Sequence, residues 1–384
     1  MNIVAAVYSH PEYYPPTLNA ISQLSKHAEK IFIVSRNVKS SDWNYPLNVE
    51  LKKSGKFKSI RDSEKSSLLW KVASFLQFCR SLYKIIHATR PEWVICYDPF
   101  PLLAYRIISI FILRKPKIWY HNHDVLEVVN TGSFSIGRLA IINERNYLNK
   151  VTLFSLPANE RKKFFRLDNF NGQYFFLPNY PSIAILNERA KLSPKEKEVV
   201  ALIFQGSIGY DHGYEEILAQ IPALNSYFDK SFKLVLKGFI TPEFTAYIKD
   251  VAKKYAVSTS LEIIGVGPYL EIFELSSKCD IGLAIHKGQD TMNKTLGTSS
   301  NKIYEYAAVG LPVLLYDNEH FKSHLAKRTW AFFSDLTQES MIKNLDDIFE
   351  NYNHISKSAL KDFKEELNFE SYFEPIILYL LKNT

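Results

Sequence analysis

Short runs of β-branched and aromatic residues alternate with amphipathic helical patterns along almost the whole of this 384-residue chain. In the long helical pattern at 67–88, apolar residues recur at steps of three and four, as on one face of an α-helix. Strands that alternate with helices form βαβ units, whose strands run parallel in one sheet. The alternation therefore predicts an α/β fold with parallel, doubly wound sheets.

The pattern places the predicted elements in two series. Strands are expected at 2–8, 30–35, 93–97, 117–121, 151–155 and 173–177, then at 199–205, 233–236, 261–264, 281–285 and 312–316. Helices are expected at 17–27, 67–88, 101–113, 136–148 and 159–167, between the strands of the second series, and in the tail at 336–381.

The alternation stops at 178–198, which contains three prolines and ends in a charged run at 195–198. Such a composition is typical of a linker between domains, and 384 residues exceed one ordinary domain of roughly 100–150. We therefore predict an N-terminal domain at 1–178, a linker at 179–198, a C-terminal domain at 199–366 and a final helix at 367–384.

Ten of the 14 glycines fall between residues 206 and 310, many of them directly after a predicted strand. Ligands of open α/β sheets bind beyond the carboxyl ends of the strands, where glycine lets the backbone approach closely. The second domain is therefore predicted to bind an anion or a nucleotide.

Composition excludes several classes of protein. Aromatic residues reach 14%, which excludes general disorder, and three scattered cysteines exclude a disulfide scaffold and favour a reducing compartment. The N-terminus resembles a strand rather than a signal peptide, and the apolar run at 102–113 is too short to cross a bilayer but long enough to lie on one. The net charge of +7 favours an acidic partner.

Several nucleotide and metal motifs are absent from the sequence. It has no P-loop, and Gly265 begins a stretch that starts like a dinucleotide fingerprint but contains Pro268. No two aspartates are separated by one residue, as in a metal clamp on a nucleotide-sugar. We therefore expect neither a metal nor a cofactor.

The strongest motif is S-N-K-I-Y-E-Y-A-A-V-G-L-P-V at 300–313, which predicts a polar loop, a short helix, a glycine stop and a strand. Hydroxyls and free N–H groups at such a helix start form an anion site, to which Lys302 adds charge. Glu305 shares a face with Asn301 and can accept hydrogen bonds from two sugar hydroxyls. The alternative for Glu305 is an interaction with its own helix N-terminus.

In the first domain, His123 and Asp124 follow a predicted strand. His123 is a candidate for moving a proton, with metal binding and a purely structural role as alternatives. The loop at 9–17, with His10 and Tyr13, also follows a strand and either borders a ligand cleft or is a simple turn. Asp98 ends another strand, where it can cap the next helix.

The motif at 300–313 resembles the donor-binding helix of GT-B glycosyltransferases, particularly the large retaining, nucleotide-sugar-dependent group with an E-x7-E motif. Further stretches at 174–179, 202–213, 261–284 and 369–381 are similar to family elements in the same order. The resemblance implies two Rossmann-like domains facing across a cleft, with the C-terminal helix crossing back to the first. It also implies that His123 and Asp124 face the cleft, where His123 can contact the transferred sugar. It further implies that the loop with His10 and Tyr13 helps to shape the acceptor site, and that no metal is needed.

The sequence departs from the family pattern at the diphosphate clamp. The first glutamate of the E-x7-E motif is replaced by Gly297, and the usual Arg and Lys of the glycine loop by Ser207 and His212. Lys237, Lys287 or Lys302 are the candidates to rebuild the clamp. The predicted donor-binding residues are Gly206, Ser207, Lys237, Gly265, Ser299, Ser300, Asn301, Lys302 and Glu305.

The stretch at 52–84 interleaves basic and aromatic residues, among them Trp70 and Tyr83. It fits an anionic membrane surface that carries a lipid-linked acceptor, or else a solvated loop followed by a core-facing helix. No readout motif for nucleic acid is present.

Together these observations predict a metal-independent glycosyltransferase of the hexosyltransferase type. It would move a sugar from a nucleotide-sugar, UDP- or GDP-linked, to a hydroxyl of a surface polysaccharide or lipid-linked glycan. It would be cytoplasmic, with peripheral binding to the inner face of the membrane. The alternatives are a GT-B-fold nucleotide-sugar epimerase and a non-catalytic partner protein with the same fold.

Overall fold

The computed structural model describes residues 1–126, 135–185, 194–288 and 293–384. The chain divides into two compact units: unit 1 comprises Met1–Asn179 with Phe369–Thr384, and unit 2 comprises Tyr180–Asn368. Each unit is built on one parallel sheet. The predicted linker at 179–198 lies partly outside the described residues, at 186–193.

Unit 1 contains a seven-stranded sheet in the order β3-β2-β1-β4-β5-β6-β7, in which all neighbouring strands are parallel. The strands are β1 (Asn2–Val7), β2 (Lys30–Arg36), β3 (Val49–Ser54), β4 (Trp93–Tyr97), β5 (Lys117–His121), β6 (Leu153–Leu156) and β7 (Gln173–Phe176). The helices are α1 (Pro15–Ser25), α2 (Ile60–Glu64), α3 (Leu68–Thr89), α4 (Pro99–Ile108) and α5 (Ile136–Tyr147).

Unit 2 contains a six-stranded parallel sheet in the order β10-β9-β8-β11-β12-β13. The strands are β8 (Val199–Ser207), β9 (Ser231–Phe239), β10 (Leu261–Ile264), β11 (Ile281–Ala284), β12 (Val313–Tyr316) and β13 (Ala331–Ser334). The helices are α6 (Tyr214–Phe228), α7 (Pro242–Lys254), α8 (Glu271–Lys278), α9 (Asn301–Ala308), α10 (Glu319–Leu325) and α11 (Gln338–Glu365).

The last helix, α12 (Phe369–Lys382), returns to unit 1. The ring of Phe373 lies 5.8 Å from that of Trp119 on β5, and the ring of Tyr379 lies 6.3 Å from that of Trp93 on β4. Full burial of an apolar side chain of this size stabilises a fold by about 1.5–3 kcal/mol. These contacts therefore attach the C-terminus to the first sheet, as predicted.

Both sheets have the Rossmann strand order, in which the direction of winding reverses beside the first strand. The reversal lies between β1 and β4 in unit 1 and between β8 and β11 in unit 2. Helices cover both faces of such sheets, so the central strands are continuously apolar; Ile3 to Ala6 on β1 are fully buried. The predicted α/β fold with parallel sheets is confirmed.

Some local predictions were wrong. The edge strands β3 and β13 were missed: β3 has the charged sequence VELKKS, and β13 is a half-buried strand of four residues. The helix expected at 159–167 is a 3-10 helix, Asn159–Phe164, that stops where Phe165 turns extended and packs 4.9 Å from Phe154. The helical tail expected at 336–381 is formed by α11 and α12, and the final helix expected at 367–384 is α12.

Within the described residues no helix is both long enough and apolar enough to cross a bilayer.

Candidate functional site

The carboxyl edge of the unit 2 sheet carries most of the polar residues that the sequence singles out. β8 ends in Gly206 and Ser207, and β11 is followed by His286. These two strands flank the point where the winding reverses, and in doubly wound sheets the ligand crevice lies at the ends of such strands. The helix α9 begins beside this crevice, since the side chain of Lys302 lies over Phe204 on β8.

Two glycines keep this edge free of side chains. Gly206 has φ +124° and Gly238 has φ +137°, a region that L-residues rarely adopt. A Cβ atom added to Gly238 would lie 2.0 Å from the carbonyl oxygen of Gly206. Glycine is thus required at position 238 for the close approach of β8 and β9.

Lys302, in the first turn of α9, brings a cation to the crevice. Its Nζ lies 3.2 Å from His286 Nε2 and 3.9 Å from the ring centroid of Phe204. Burial lowers the Lys302 pKa from 10.5 to about 7, against the attraction of the Glu305 carboxylate. The ammonium therefore gains from an anionic ligand that would restore its ordinary pKa.

Two histidines border Lys302, and both favour the neutral form. Burial and the nearby Lys302 charge lower the pKa of His286 well below 6.5 and that of His212 to about 4. The two rings lie 5.0 Å apart, and His212 Nδ1 is 3.2 Å from the carbonyl oxygen of Gly209. Neutral His286 can accept a hydrogen bond from Lys302, which orients the ammonium.

Glu305 lies one turn further along α9 and is buried. Its carboxylate accepts a hydrogen bond of 2.5 Å from Gln205 Nε2 and another from the Tyr269 hydroxyl. Burial raises the Glu305 pKa from 4.5 to about 7, although these bonds and Lys302 oppose the rise. Because its partners belong to other elements, Glu305 does not act as a cap of its own helix.

The start of α9 presents several groups from the predicted anion site. Ser300 occupies the N-cap position without a side-chain cap bond, so the first N–H groups of the helix are not capped by its hydroxyl. Asn301 Oδ1 is buried and has no hydrogen-bond partner in the part of the chain that the structure describes. Ser299 is instead committed to the protein, since its Oγ donates to the Thr295 carbonyl at 2.7 Å.

The position of the missing first glutamate is filled by histidine. A Cβ atom added to Gly297 would lie 2.3 Å from the ring of His324, and the Gly297 N–H donates to His320 Nε2 at 2.7 Å. A glutamate side chain therefore does not fit at position 297 unless the imidazole of His324 moves.

The other candidate lysines are paired with carboxylates. Lys237 Nζ lies 3.5 Å from Glu271 Oε2, and Lys287 forms an ion pair with Glu216. Lys302 has no ion pair of this kind among the described residues. Gly265 follows β10 in open space, so nothing around it requires a glycine.

In unit 1, His123 is enclosed by protein. Its Nε2 lies 2.9 Å from Thr17 Oγ1 and its Nδ1 lies 3.1 Å from His121 Nε2, while its ring stacks between Tyr14 and Tyr97. Burial, together with the charge of Arg161 and the neighbouring His121, lowers the His123 pKa well below 6.5. Both ring nitrogens are engaged, so the geometry favours the structural alternative, and the catalytic role stays a prediction.

Asp124 is exposed, with an Oδ1 that lies 3.9 Å from the buried guanidinium of Arg161. Arg161 also donates to the backbone carbonyl of His123. The described residues include no cluster of three or more His, Cys, Asp or Glu that could hold a metal ion.

Asp98, for which the sequence predicts a capping role, has an unusual backbone conformation. It has φ 69° and ψ 172°, a conformation that costs a non-glycine residue about 1–3 kcal/mol. It makes no side-chain cap bond; its Oδ1 accepts from the backbone N–H of His123 at 2.7 Å. The strain thus holds a carboxylate against the loop that carries Asp124.

A cavity of about 320 Å³ opens at the winding reversal of the unit 1 sheet. Asp98 and Asp124 line it, with Ser9 and Tyr14 from the loop after β1. The lining does not include His10 or Tyr13 of that loop: His10 is fully buried beside Glu12, and Tyr13 is exposed. Their predicted contact with an acceptor is untested.

No protein-family model matches the sequence, and no curated protein sequence matches it either. Solved structures do match over the full chain. Sucrose-phosphate synthase from Thermosynechococcus elongatus has a TM-score of 0.72 at 10% identity, with 100% of both chains covered. A glycosyltransferase from Rickettsia africae has 0.67 at 13%, covering 100% of this chain and 98% of its own. HepE from Anabaena, in complex with UDP and glucose, has 0.66 at 12%, with both chains fully covered.

The chain has the GT-B fold. At identities of 10–13% these similarities concern the fold alone, and at that level the resemblance stated from the motif at 300–313 is confirmed. In the GT-B frame, Lys302 and Glu305 belong to the helix that the sequence resemblance assigned to the donor.

Sequence reasoning missed Gln205, Tyr269 and His286 in unit 2. Each is an ordinary polar or aromatic residue without a motif of its own. Gln205 and His286 could have been found by position alone, because they lie in or directly after predicted strands at the reversal of winding. Tyr269 carries no such signal, since only folding brings it to Glu305.

Proposed function

We propose that this protein is a glycosyltransferase that uses a nucleotide-sugar donor bound by unit 2. The observation that carries the proposal is the pair Lys302 and Glu305, one cation and one carboxylate on successive turns of α9, at the reversal of winding in a GT-B fold. A nucleoside diphosphate offers groups that match both: an anionic diphosphate and a ribose with two hydroxyls.

The diphosphate would be bound by Lys302, by the backbone N–H groups at Gly206 and Ser207, and by the start of α9. Charge grows on this group as the sugar leaves, and fixed donors that face it lower the barrier without reorganising. Glu305 would accept hydrogen bonds from the ribose; a carboxylate offers about four lone-pair positions, and Gln205 and Tyr269 use part of them.

Lys302 offers charge of the kind that a divalent cation supplies in other enzymes, which supports the proposal that transfer is metal-independent. Retained activity in excess EDTA would agree with this, and activity restored only by a divalent ion would contradict it. The UDP and UDP-glucose complexes of HepE make UDP the first nucleotide to test. Hexosyl transfer to a surface polysaccharide or lipid-linked glycan is the finer form of the proposal.

The donor site is tested by measuring the unfolding midpoint with UDP, GDP, CMP, ADP and dTDP. Ligand at 100 times its dissociation constant adds about 2.7 kcal/mol, which is several degrees at roughly 2–4 °C per kcal/mol. We expect a shift with one nucleotide that Glu305→Gln abolishes. Glu365→Gln, an exposed glutamate on α11, is the matched control and should leave the shift intact. No shift with any nucleotide at millimolar concentration would contradict the donor site.

Product analysis separates the remaining alternatives. An epimerase would convert the donor without an acceptor, whereas a transferase consumes it only slowly by hydrolysis. A non-catalytic partner would show neither reaction, and Glu305→Gln would leave the pathway intact.

We also propose that the transferase is cytoplasmic and lies on an anionic membrane through one face of α3 and the end of α4. Leu69, Phe111 and Leu113 on this face are exposed by 82%, 64% and 103%. The rings of Tyr83 and Phe111, 6.5 Å apart, join the two helices. The further exposed apolar residues of this face are Leu68, Val72, Leu76, Ile107 and Ile110.

Charge supports a lipid surface rather than an apolar protein. The segments 65–91 and 99–123 contain no Asp or Glu. Their basic residues are Lys65, Lys71, Arg80, Lys84, Arg90, Arg106, Arg114, Lys115 and Lys117. A basic, apolar face of this kind binds anionic lipid by both attraction and insertion.

Co-sedimentation with phosphatidylcholine vesicles, with and without phosphatidylglycerol, tests this face. We expect binding that needs phosphatidylglycerol and falls at least tenfold in the double variant Leu69→Gln and Leu76→Gln, since each buried Leu contributes about 1.5–3 kcal/mol. Leu378→Gln, an exposed leucine of α12, is the control. Equal binding by all three proteins would contradict the proposal.

A further inference from the structure

A second cavity in unit 1, of about 400 Å³, lies at the ends of β2 and β3 against the first turns of α3. Its lining includes Arg36, Lys56 and Lys58 and no Asp or Glu, with the rings of Trp70 and Phe57 beside them. We call it the basic cavity. Three cations without a carboxylate among them repel one another and favour an anionic occupant.

Arg36 is the residue of the basic cavity with unused binding capacity. Its guanidinium lies 4.9 Å from the ring of Tyr8 and 6.0 Å from that of Trp70. Within the described residues its side chain makes no hydrogen bond or ion pair. The planar fork of five N–H donors is therefore held between two rings and open to an anion; a phosphate can accept two of these donors at once.

Lys58 also lies against the ring of Trp70 and lines the same cavity. Its Nζ lies 4.3 Å from the Trp70 ring and 2.5 Å from Ser66 Oγ. An ammonium carries three donors, so two remain after the bond to Ser66. Trp70 thus orients two cations toward one space.

Arg36 also lines the neighbouring cavity of about 320 Å³, which has a different chemistry. There Asp98, Asp124 and Glu64 supply carboxylates, and Tyr8 and Phe100 supply aromatic surface. Carboxylates accept hydrogen bonds from sugar hydroxyls, and aromatic rings pack against the apolar faces of sugars. One guanidinium therefore stands between a space suited to a sugar and a space suited to an anion.

We propose that these joined cavities bind a phosphorylated saccharide, with its phosphate on Arg36 and Lys58 in the basic cavity and its sugar against Asp98 and Asp124. That this ligand is the acceptor of the transfer rests on the proposed function; the binding itself does not. The phosphate is carried either by a soluble sugar phosphate or by a lipid. Trp70 lies on α3, the same helix that exposes Leu69 and Leu76.

Calorimetric titration of the full chain with UDP present tests the proposal, because UDP occupies the competing anion site of unit 2. The probes are glucose 1-phosphate, inorganic phosphate and glucose for the soluble source, and phosphatidylcholine vesicles with and without a polyprenyl phosphate for the lipid source. The proteins are wild type, Arg36→Gln, Lys58→Gln and the control Lys150→Gln, an exposed lysine of unit 1 that lies outside both cavities and outside the proposed membrane face. Unfolding midpoints show that each variant is folded.

We expect glucose 1-phosphate to bind more tightly than either inorganic phosphate or glucose. Its affinity should fall at least tenfold in Arg36→Gln and Lys58→Gln but not in Lys150→Gln. The same loss confined to polyprenyl phosphate vesicles would support the lipid source. The proposal is overturned if every phosphate probe binds the wild type and both cavity variants with equal affinity. Failure of UDP to bind counts against the donor site alone, since the phosphate titration can be repeated without it.

Discussion

Replacing Lys302 by methionine should make the free protein more stable and make it bind nucleotide less well. Methionine has a similar length and no charge, so it fills the space beside Phe204 and His286 without the cost of burying an ammonium. A residue kept for stability alone would show the opposite sign.

The magnitude follows from the Lys302 pKa. Its fall from 10.5 to about 7 corresponds to about 5 kcal/mol at roughly 1.4 kcal/mol per pH unit. Part of the side chain is exposed, and solvent screens part of that cost, so we expect a gain of about 2–5 kcal/mol at pH 7.

The sign also fixes the pH dependence. A lysine whose pKa is lowered on folding contributes stability above its unfolded pKa of 10.5 and loses it as pH falls toward 7. The stability of the wild type relative to Lys302→Met should therefore rise with pH, by up to about 1.4 kcal/mol per pH unit from pH 7 to pH 9. Binding of UDP should weaken at least tenfold, the value of a charged hydrogen bond of about 1.5–3 kcal/mol.

Urea-dependent hydrogen exchange, measured on unit 2 peptides by mass spectrometry at pH 7, 8 and 9, gives the stability difference. Calorimetry gives the UDP affinity. Lys249→Met on α7, an exposed lysine, is the control and should change neither quantity by more than about 0.5 kcal/mol. A less stable Lys302→Met, or an advantage that stays constant from pH 7 to 9, would refute the reasoning on burial; unchanged UDP affinity would remove Lys302 from the diphosphate site.

Gly238→Ala should destabilise unit 2 by more than about 2 kcal/mol in urea unfolding, because its Cβ meets a backbone oxygen at 2.0 Å, whereas Gly265→Ala in open space should be near neutral. Acid should destabilise the protein already at mildly acidic pH, because burial lowers the His121 pKa from 6.5 to about 3. As pH falls through this window, stability should be lost at up to about 1.4 kcal/mol per pH unit. In His121→Gln the stability should fall less steeply with pH. Introducing a glutamate with Gly297→Glu should lower the unfolding midpoint, and adding His324→Ala should recover it. An unchanged midpoint in Gly297→Glu alone would contradict the packing seen at Gly297.

The fold could be predicted from the sequence to a large degree because parallel strands are covered on both faces. Their apolar runs, such as Trp93–Tyr97 and Val313–Tyr316, are continuous and end at turn residues, so the local sequence marks where they begin and end. The edge strand β3 lacks that signal: it is half exposed and charged, and its place beside β2 depends on pairing with a distant segment.

The candidate site was predictable where one segment carries it. Asn301, Lys302 and Glu305 are neighbours on α9, so helix periodicity alone brings them to one face. Partners from other elements were not predictable: Gln205 and Tyr269 reach Glu305 only after β8 and α8 have packed around α9.

The sequence by itself determined the alternation of elements, the parallel sheets and the polar helix start at 300–305, because these depend on periodicity and local backbone preference. Only the tertiary structure decided the electrostatics. It buried Lys302 against His286 and so lowered the Lys302 pKa, enclosed His123 between two tyrosines, and left the Arg36 guanidinium open beside the basic cavity. Desolvation and the distance to a neighbouring charge set these properties, and both are fixed by residues far apart along the chain.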